Sequence, residues 1–184
     1  MRKLTHEEIS LKRASLDKIH KVDKMPVVVI LDSIRSAYNV GSIFRTSDGA
    51  MIEELILTGY TPTPENKEVK KTALTSDLSV KWTHLKFAME KIEELKNKGY
   101  KIAALELTDK ARPYYNIYKE DFPLCLIVGN EIKGVSEHYL NLCDFSFEIP
   151  QYGIKQSLNV AVAYGISIFE IRKFYDINLK KTIY

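Results

Sequence analysis

The chain has 184 residues, 45% hydrophobic and 28% charged, which is enough for one full-sized domain and too little for two large ones. No apolar run approaches the roughly 20 residues of a membrane-spanning helix, and MRKLTHEEIS lacks the apolar stretch of a secretory leader, so a soluble, cytoplasmic protein is expected. Cys125 and Cys143 form no CxxC pair, and His6, His20, His84 and His138 never fall at helical ligand spacing; disulfide frameworks and metal catalysis drop out.

The net charge of +3 is unevenly placed. Residues 1–24 carry seven Lys/Arg against four Asp/Glu and residues 172–184 four against one, leaving sixteen against nineteen in the body from 25 to 171. Basic ends suit a phosphate-bearing partner, because Lys and Arg release counterions from a polyanion without any sequence code. On charge alone, solubilising tails account for them better.

In chain order, Thr5-His6-Glu7-Glu8 has the form of a capping box and predicts a helix from about Thr5. Its apolar face, Ile9, Leu11, Leu16 and Ile19, is patchy, so the helix should lie on the domain or a partner. Residues 1–24 are accordingly expected as a basic helical extension to a domain spanning 25–184. After Pro26, VVVIL reads as a strand buried on both faces, and the pattern recurs in ELILTG (54–59), KIAALEL (101–107) and LCLIVG (124–129). A further strand ends at Ile149-Pro150. Helices are expected at about 42–50, 84–98, 135–142 and from Leu158 to Phe174. The turn-rich stretch TGYTPTPENKEVKKT, with Pro62 and Pro64, reads as a long surface loop. Alternating strands and helices predict an α/β domain with a mostly parallel sheet. The last helix is apolar on nearly every side, so its own sheet, and a second subunit, should cover it.

Three constellations follow strands. After VVVILD come Asn39, Gly41 and Arg45; a helix starting near Gly41 would project Arg45 about one turn in, at the strand ends where open α/β sheets bind ligands. The plainer reading is an Asn cap, a Gly turn and a surface Arg. After LCLIVG come Gly129, Asn130, Glu131 and Gly134. Gly129 would spare a ligand a collision, Gly134 would start the next helix, and Glu131 would sit ahead of that helix N-terminus. No GxxxxGK[ST] is present, and a carboxylate repels phosphates, so the pocket should favour a ligand without them and with positive charge. The third, after Ile149-Pro150, is Ser157-Leu158-Asn159-Val160, in which Ser157 is a credible N-cap and Asn159 an amide in an apolar first turn that needs partners.

Together the three segments resemble the SpoU-type branch of the SPOUT superfamily, the RNA 2′-O-ribose methyltransferases. The family's N-x-G-x-x-x-R stands here as Asn39-Val40-Gly41-Ser42-Ile43-Phe44-Arg45, its G-x-E-x-x-G as LIVGNEIKG, and its I-P followed by S-L-N-V as Ile149-Pro150 and Ser157-Leu158-Asn159-Val160. All three occur in the family's order, over about residues 26 to 172. Where many relatives carry Lys-Thr-x-x-Gly-Ala, this chain has KTALTSDLSV, which leaves its middle-loop substrate contacts open.

The resemblance implies a parallel α/β sheet with helices on both faces and a C-terminal trefoil knot. It also implies S-adenosylmethionine among the three loops and a homodimer through the C-terminal helix. Transfer of a methyl group to a ribose 2′-hydroxyl of tRNA or rRNA is the implied reaction, with no metal and no membrane involved. Arg45 is then the principal catalytic residue, aided by Asn39, Glu131 and Ser157. An arginine base is physically demanding, since its pKa lies above ~12; Arg45 could instead anchor the adjoining phosphate and stabilise the developing alkoxide. Asn159 and the backbone near Leu126, Gly129, Asn130, Ile149 and Leu158 are the candidates for holding the cofactor. The other class consistent with such a fold is a non-catalytic RNA-binding protein.

Overall fold

The computed structural model describes residues 1–11 and 13–180, and of His20 the backbone only. Seven strands form one sheet: β1 (Met25–Asp32), β2 (Ile52–Thr58), β3 (Trp82–Leu85), β4 (Lys101–Leu105), β5 (Ala111–Pro113), β6 (Leu124–Val128) and β7 (Phe145–Glu148). Their order is β3-β2-β1-β6-β4-β7-β5, and every pairing is parallel. The expected buried strands are therefore real. Val27 to Leu31 and Leu124 to Val128 pair in register at the centre of the sheet, fully covered, so both faces must be apolar and no alternation is seen.

Helices lie on both faces, as expected. One face carries α2 (Ala37–Ala50), α3 (Lys67–Ala73) and α7 (Val160–Asn178), whose Phe44, Val69 and Ile168 share a core with Val29, Leu57 and Leu126. The other carries α5 (Met89–Asn97) and α6 (Glu137–Leu140), whose Ile92 and Tyr139 pack on Val28, Ile30 and Ile127. Two short helices complete the set, α1 (His6–Ser10) and α4 (Ser76–Ser79).

Several boundaries differ from the sequence expectation. The capping box at Thr5 is formed, but α1 is only five residues long, and of its arm's apolar residues Ile19 is buried while Leu11 and Leu16 are exposed. The arm is thus mostly extended or turned, because one apolar anchor cannot cover the cost of nucleating a long helix. The stretch read as a long loop contains α3. Asn66 caps it by accepting from the Glu68 N–H (2.9 Å), and Val69 and Ala73 are buried. Two prolines stop regular structure before the cap without constraining the residues beyond it. The helix expected at 84–98 divides into β3 and α5, that at 135–142 shrinks to α6, and the edge strand β5 has no counterpart in the sequence reading. Where the family's Lys-Thr-x-x-Gly-Ala would run, Leu74 and Thr75 take left-handed backbone (φ 49° and 71°), ahead of α4.

The helix carrying Asn39 starts at Ala37, earlier than Gly41, with the Ser36 hydroxyl accepting from the Asn39 N–H. Gly41 is therefore not a turn glycine. It lies inside α2 where α3 crosses closest: a Cβ there would stand 2.6 Å from Thr72 Cβ and 2.8 Å from the Val69 carbonyl oxygen. Gly41→Ala should destabilise the protein by about 1–2 kcal/mol, since overpacking against backbone outweighs the gain in helix propensity; urea unfolding checks this, and α2 and α3 should report it first in hydrogen exchange.

Candidate active site

The carboxyl ends of β4, β6 and β7, three neighbours in the sheet, open into a hollow of about 310 Å³. Its wall contains Leu105, Glu106 and Leu107 after β4, Val128 to Glu131 after β6, and Ile149, Ser157, Leu158 and Asn159 after β7. This is where ligands settle on open α/β sheets, and the size falls within the range of small-molecule sites.

Glu131 is the most heavily committed side chain here. One carboxylate oxygen accepts from the Arg35 N–H (2.8 Å); the other accepts from the Ser36 N–H (3.0 Å) and from Asn39 Nδ2 (2.9 Å). Glu131 thus sits at a helix N-terminus as its position in the sequence implies, but it neutralises the start of α2, not of α6. Burial pushes its carboxyl up, yet the three donors outweigh burial and hold it below its ordinary range. Asn39 in turn accepts on Oδ1 from Asn159 Nδ2 (3.1 Å). Asn159 Oδ1 accepts from the N–H groups of Ala161 (2.9 Å) and Val162 (3.3 Å), so Asn159, and not Ser157, is the N-cap of α7. These bonds fix the orientation of both amides, since each oxygen meets a donor and each nitrogen an acceptor.

The glycines act differently from expectation. A Cβ on Gly129 would fall 2.2 Å from Gly134 C and from Val135 N, so the glycine accommodates the chain's own backbone, not a ligand. Gly134 has φ +68° and, instead of starting a helix, closes a two-way backbone bridge with Asn130 (3.0 and 2.9 Å). Glu106, absent from the sequence reading, accepts from the Val135 N–H (3.0 Å) and holds this turn against β4.

Of the predicted site residues, Gly129, Asn130, Glu131, Ile149, Ser157, Leu158 and Asn159 line the hollow, and Asn39 borders it through Glu131 in a shallower recess shared with Arg35 and Ser36. Leu126 does not. It is fully buried in mid-strand, paired with Val29 and Ala103, and Val128, two residues on, takes the wall position. Arg45 is also absent from the wall. It is exposed on α2, six residues and so about 9 Å of rise beyond Asn39, with no hydrogen bond or ion pair to another described residue. Arg35, Ser36, Glu106 and Gln156 were missed; Arg35 and Ser36 contribute backbone N–H groups, which no residue type announces.

Residues 26–169 match the SpoU rRNA Methylase family. The chain belongs to that family. It is 32% identical over 152 residues to a tRNA (guanosine(18)-2′-O)-methyltransferase of Aquifex aeolicus strain VF5, covering 80% of this chain and 69% of that one. The crystal structure of an A. aeolicus TrmH/SpoU tRNA modifying enzyme superposes with a TM-score of 0.78 at 28% identity, covering 92% of this chain and 84% of that one. An AdoMet-bound rRNA methyltransferase from Sinorhizobium meliloti superposes at 0.75 with 28% identity; 84% of this chain is covered, but only 59% of the longer relative.

Because Glu131 is held ionised in the fold, its contribution to stability is present above the ordinary carboxylate range and is lost as pH falls through its lowered value. Glu131→Gln should therefore lower the melting temperature at pH 7, with the difference from wild type shrinking as pH falls below the ordinary carboxylate range. Thermal scans across pH measure it.

Proposed function

We propose that this protein transfers a methyl group from S-adenosylmethionine to a ribose 2′-hydroxyl of tRNA or rRNA. The observation that carries the reading is the convergence of the three motifs on one amide: Asn39 joins Glu131 and Asn159, 92 and 120 residues away, at the rim of one hollow. Family membership and the AdoMet-bound Sinorhizobium structure support it.

The cofactor fits the residues present. The wall is apolar and amide-rich and contains no Lys or Arg, which suits a nucleoside without phosphates, and the Glu106 and Glu131 carboxylates suit a cationic ligand. Gly129, Ile149, Leu158 and Asn159 would hold it, while the polar groups of the Asn130 side chain are already spent on the protein. When bound, it supplies an electrophilic methyl group, which leaves sulfur as the 2′-oxygen takes it. The chain's share is to orient that oxygen, because an aligned pair gains much of the barrier reduction by proximity alone. Asn39 and Ser157 are placed to position the ribose. Glu131, with both oxygens occupied, is a positioning residue acting through Asn39. Arg45 anchors the neighbouring phosphate and stabilises the alkoxide, and the proton leaves the hydroxyl through that phosphate.

We propose further that the protein is a homodimer. Leu158, Val162, Ile166 and Phe169 form an exposed apolar stripe, three along α7 and one just ahead of it, with Phe169 on the side nearest Gly49 of α2. Arg45 lies outside its own chain's hollow, so a second copy seated on the stripe would also account for how arginine and cofactor meet. We read the knot implied by the resemblance likewise: loops 129–136 and 149–159 border one hollow, as a threaded chain requires. We propose that residues 1–24 act as a separate basic arm on RNA phosphates; Ile19 is buried, while the arm's Lys3, Arg13, Lys18 and Lys21 are exposed. We propose that the protein works in the cytoplasm because its RNA substrate is there; among the described residues no helix is long and apolar enough to cross a membrane.

Mapping 2′-O-methylation in total RNA from cells with and without the gene tests the function: loss of one or more ribose methyl groups is expected, and base methylation alone would overturn it. Arg45→Ala should lower kcat about 100-fold or more with cofactor affinity unchanged. Asn159→Ala should weaken cofactor binding and cost about 1 kcal/mol through the lost cap. Calorimetry and single-turnover kinetics separate the two. The dimer should be visible in light scattering, and Val162→Glu with Ile166→Glu should give a folded monomer without turnover.

A further inference from the structure

We infer that Tyr60 is a stacking platform for a base of the RNA beside the reacting ribose, an inference that rests on the methyltransferase reading above. Tyr60 follows β2 at the carboxyl edge of the sheet and is 61% exposed. Folding gains little from leaving so large a ring in water, yet the molecule goes to some length to fix it there. The phenol oxygen accepts from Asn130 Nδ2 (2.9 Å), and the same nitrogen donates to the Ser33 carbonyl (2.6 Å). Asn130 Oδ1 accepts from the Ile132 and Lys133 N–H groups (2.9 and 3.0 Å), so this amide is saturated as well as buried. The preceding Gly59 has φ +61°, and a Cβ there would run into the Ser33 hydroxyl, which sets the backbone from which the ring departs.

The ring is thus pinned by its tip and mostly exposed; among the described residues it stacks on no aromatic ring and carries no cation. The pin is also in register with the site. Asn130 is joined by one peptide bond to Glu131, which holds Asn39, so a base lying on Tyr60 is positioned relative to the same node as the ribose. A nucleotide must leave its helical stack to present a 2′-oxygen to a hollow, and an aromatic ring fixed in advance restores that stacking at little entropic cost. The surroundings favour nucleic acid over an apolar protein partner: exposed Arg35 and Lys133 belong to the two loops that the Asn130 and Glu131 bonds hold together.

The test compares Tyr60→Leu and Tyr60→Phe in the full chain. RNA isolated from cells lacking the gene is titrated in the presence of S-adenosylhomocysteine, and KM, kcat and melting temperature are measured beside it. Tyr60→Leu should weaken RNA binding and raise its KM by roughly 5- to 100-fold, with S-adenosylhomocysteine affinity unchanged and a melting temperature equal to that of Tyr60→Phe, since both variants leave Asn130 Nδ2 without the phenol. Tyr60→Phe, which keeps the ring and loses the pin, should stay within about threefold of wild type. Wild-type RNA affinity in Tyr60→Leu would overturn the inference. So would a Tyr60→Phe variant as impaired as Tyr60→Leu with a lowered melting temperature, since the tyrosine would then be only a loop anchor. Wild-type protein that binds RNA but makes no 2′-O-methyl product would instead overturn the methyltransferase reading, with the binding comparison still deciding the role of Tyr60.

Discussion

The carboxylate of Glu131 lies at the start of α2, where two backbone N–H groups and the Asn39 amide converge on its two oxygens. Unpaired N–H groups at a helix start and an anion are natural partners, and here each solves the other's problem. The consequence reaches well past one cap. The loop after β6 becomes tied to the loop after β1, two central strands that already pair along five residues. The Asn39 amide, so oriented, presents its oxygen to Asn159 and fixes where α7 begins. Three segments remote in sequence are held by one ion and two amides.

The backbone around that node is shaped by close approach more than by turns. Gly129 and Gly134 stand back to back, with Glu106 reaching from β4 to secure the turn between them. Gly41 plays the same part between α2 and α3. A motif glycine in this fold therefore marks places where chain meets chain, and the hollow is what remains when those contacts are satisfied. Its polarity comes from amides and carboxylates, which explains why the site suits an uncharged nucleoside with a cationic tail and would repel a nucleotide triphosphate.

Much of this was legible in the sequence, for physical reasons that differ by element. The central strands were readable because burial on both faces leaves only apolar residues, as in VVVIL and LCLIV. The three motifs were readable because Asn, Glu and Arg at fixed offsets seldom coincide in order by chance. The short pieces were not: α4, α6 and β5 have three or four residues each, too few for a period to register. Helix α3 was hidden behind two prolines that belong to the turn before it. Leu126 was misplaced because a strand resembles itself every second residue, so the wall position fell to Val128. The role of Glu131 was legible in kind but not in partner, since sequence reveals an anion beside a helix start without saying which helix the fold will bring to it.

Helix α7 shows how one element can serve two surfaces. Its first turn is drawn into the site by Asn159, while Tyr164, Ile168 and Ile171 are fully buried and Tyr164 shares a hydroxyl contact with Ser47 of α2 (2.8 Å). Those inward residues leave the stripe of Leu158, Val162, Ile166 and Phe169 on the other side, spaced four, four and three apart as one helical face demands. A helix apolar on both sides is best stabilised when both are covered, and the described residues bury the first and leave the second partly exposed. The residue that the proposed chemistry needs and the hollow lacks, Arg45, projects from α2, which packs directly on this helix: a Cβ added at Gly49 would stand only 3.3 Å from Phe169 Cζ, so even a methyl group would crowd the ring. Under the proposed dimer the uncovered stripe and the displaced arginine have a single cause. A site assembled across copies would make turnover depend on association, while cofactor binding would need only the loops of one chain.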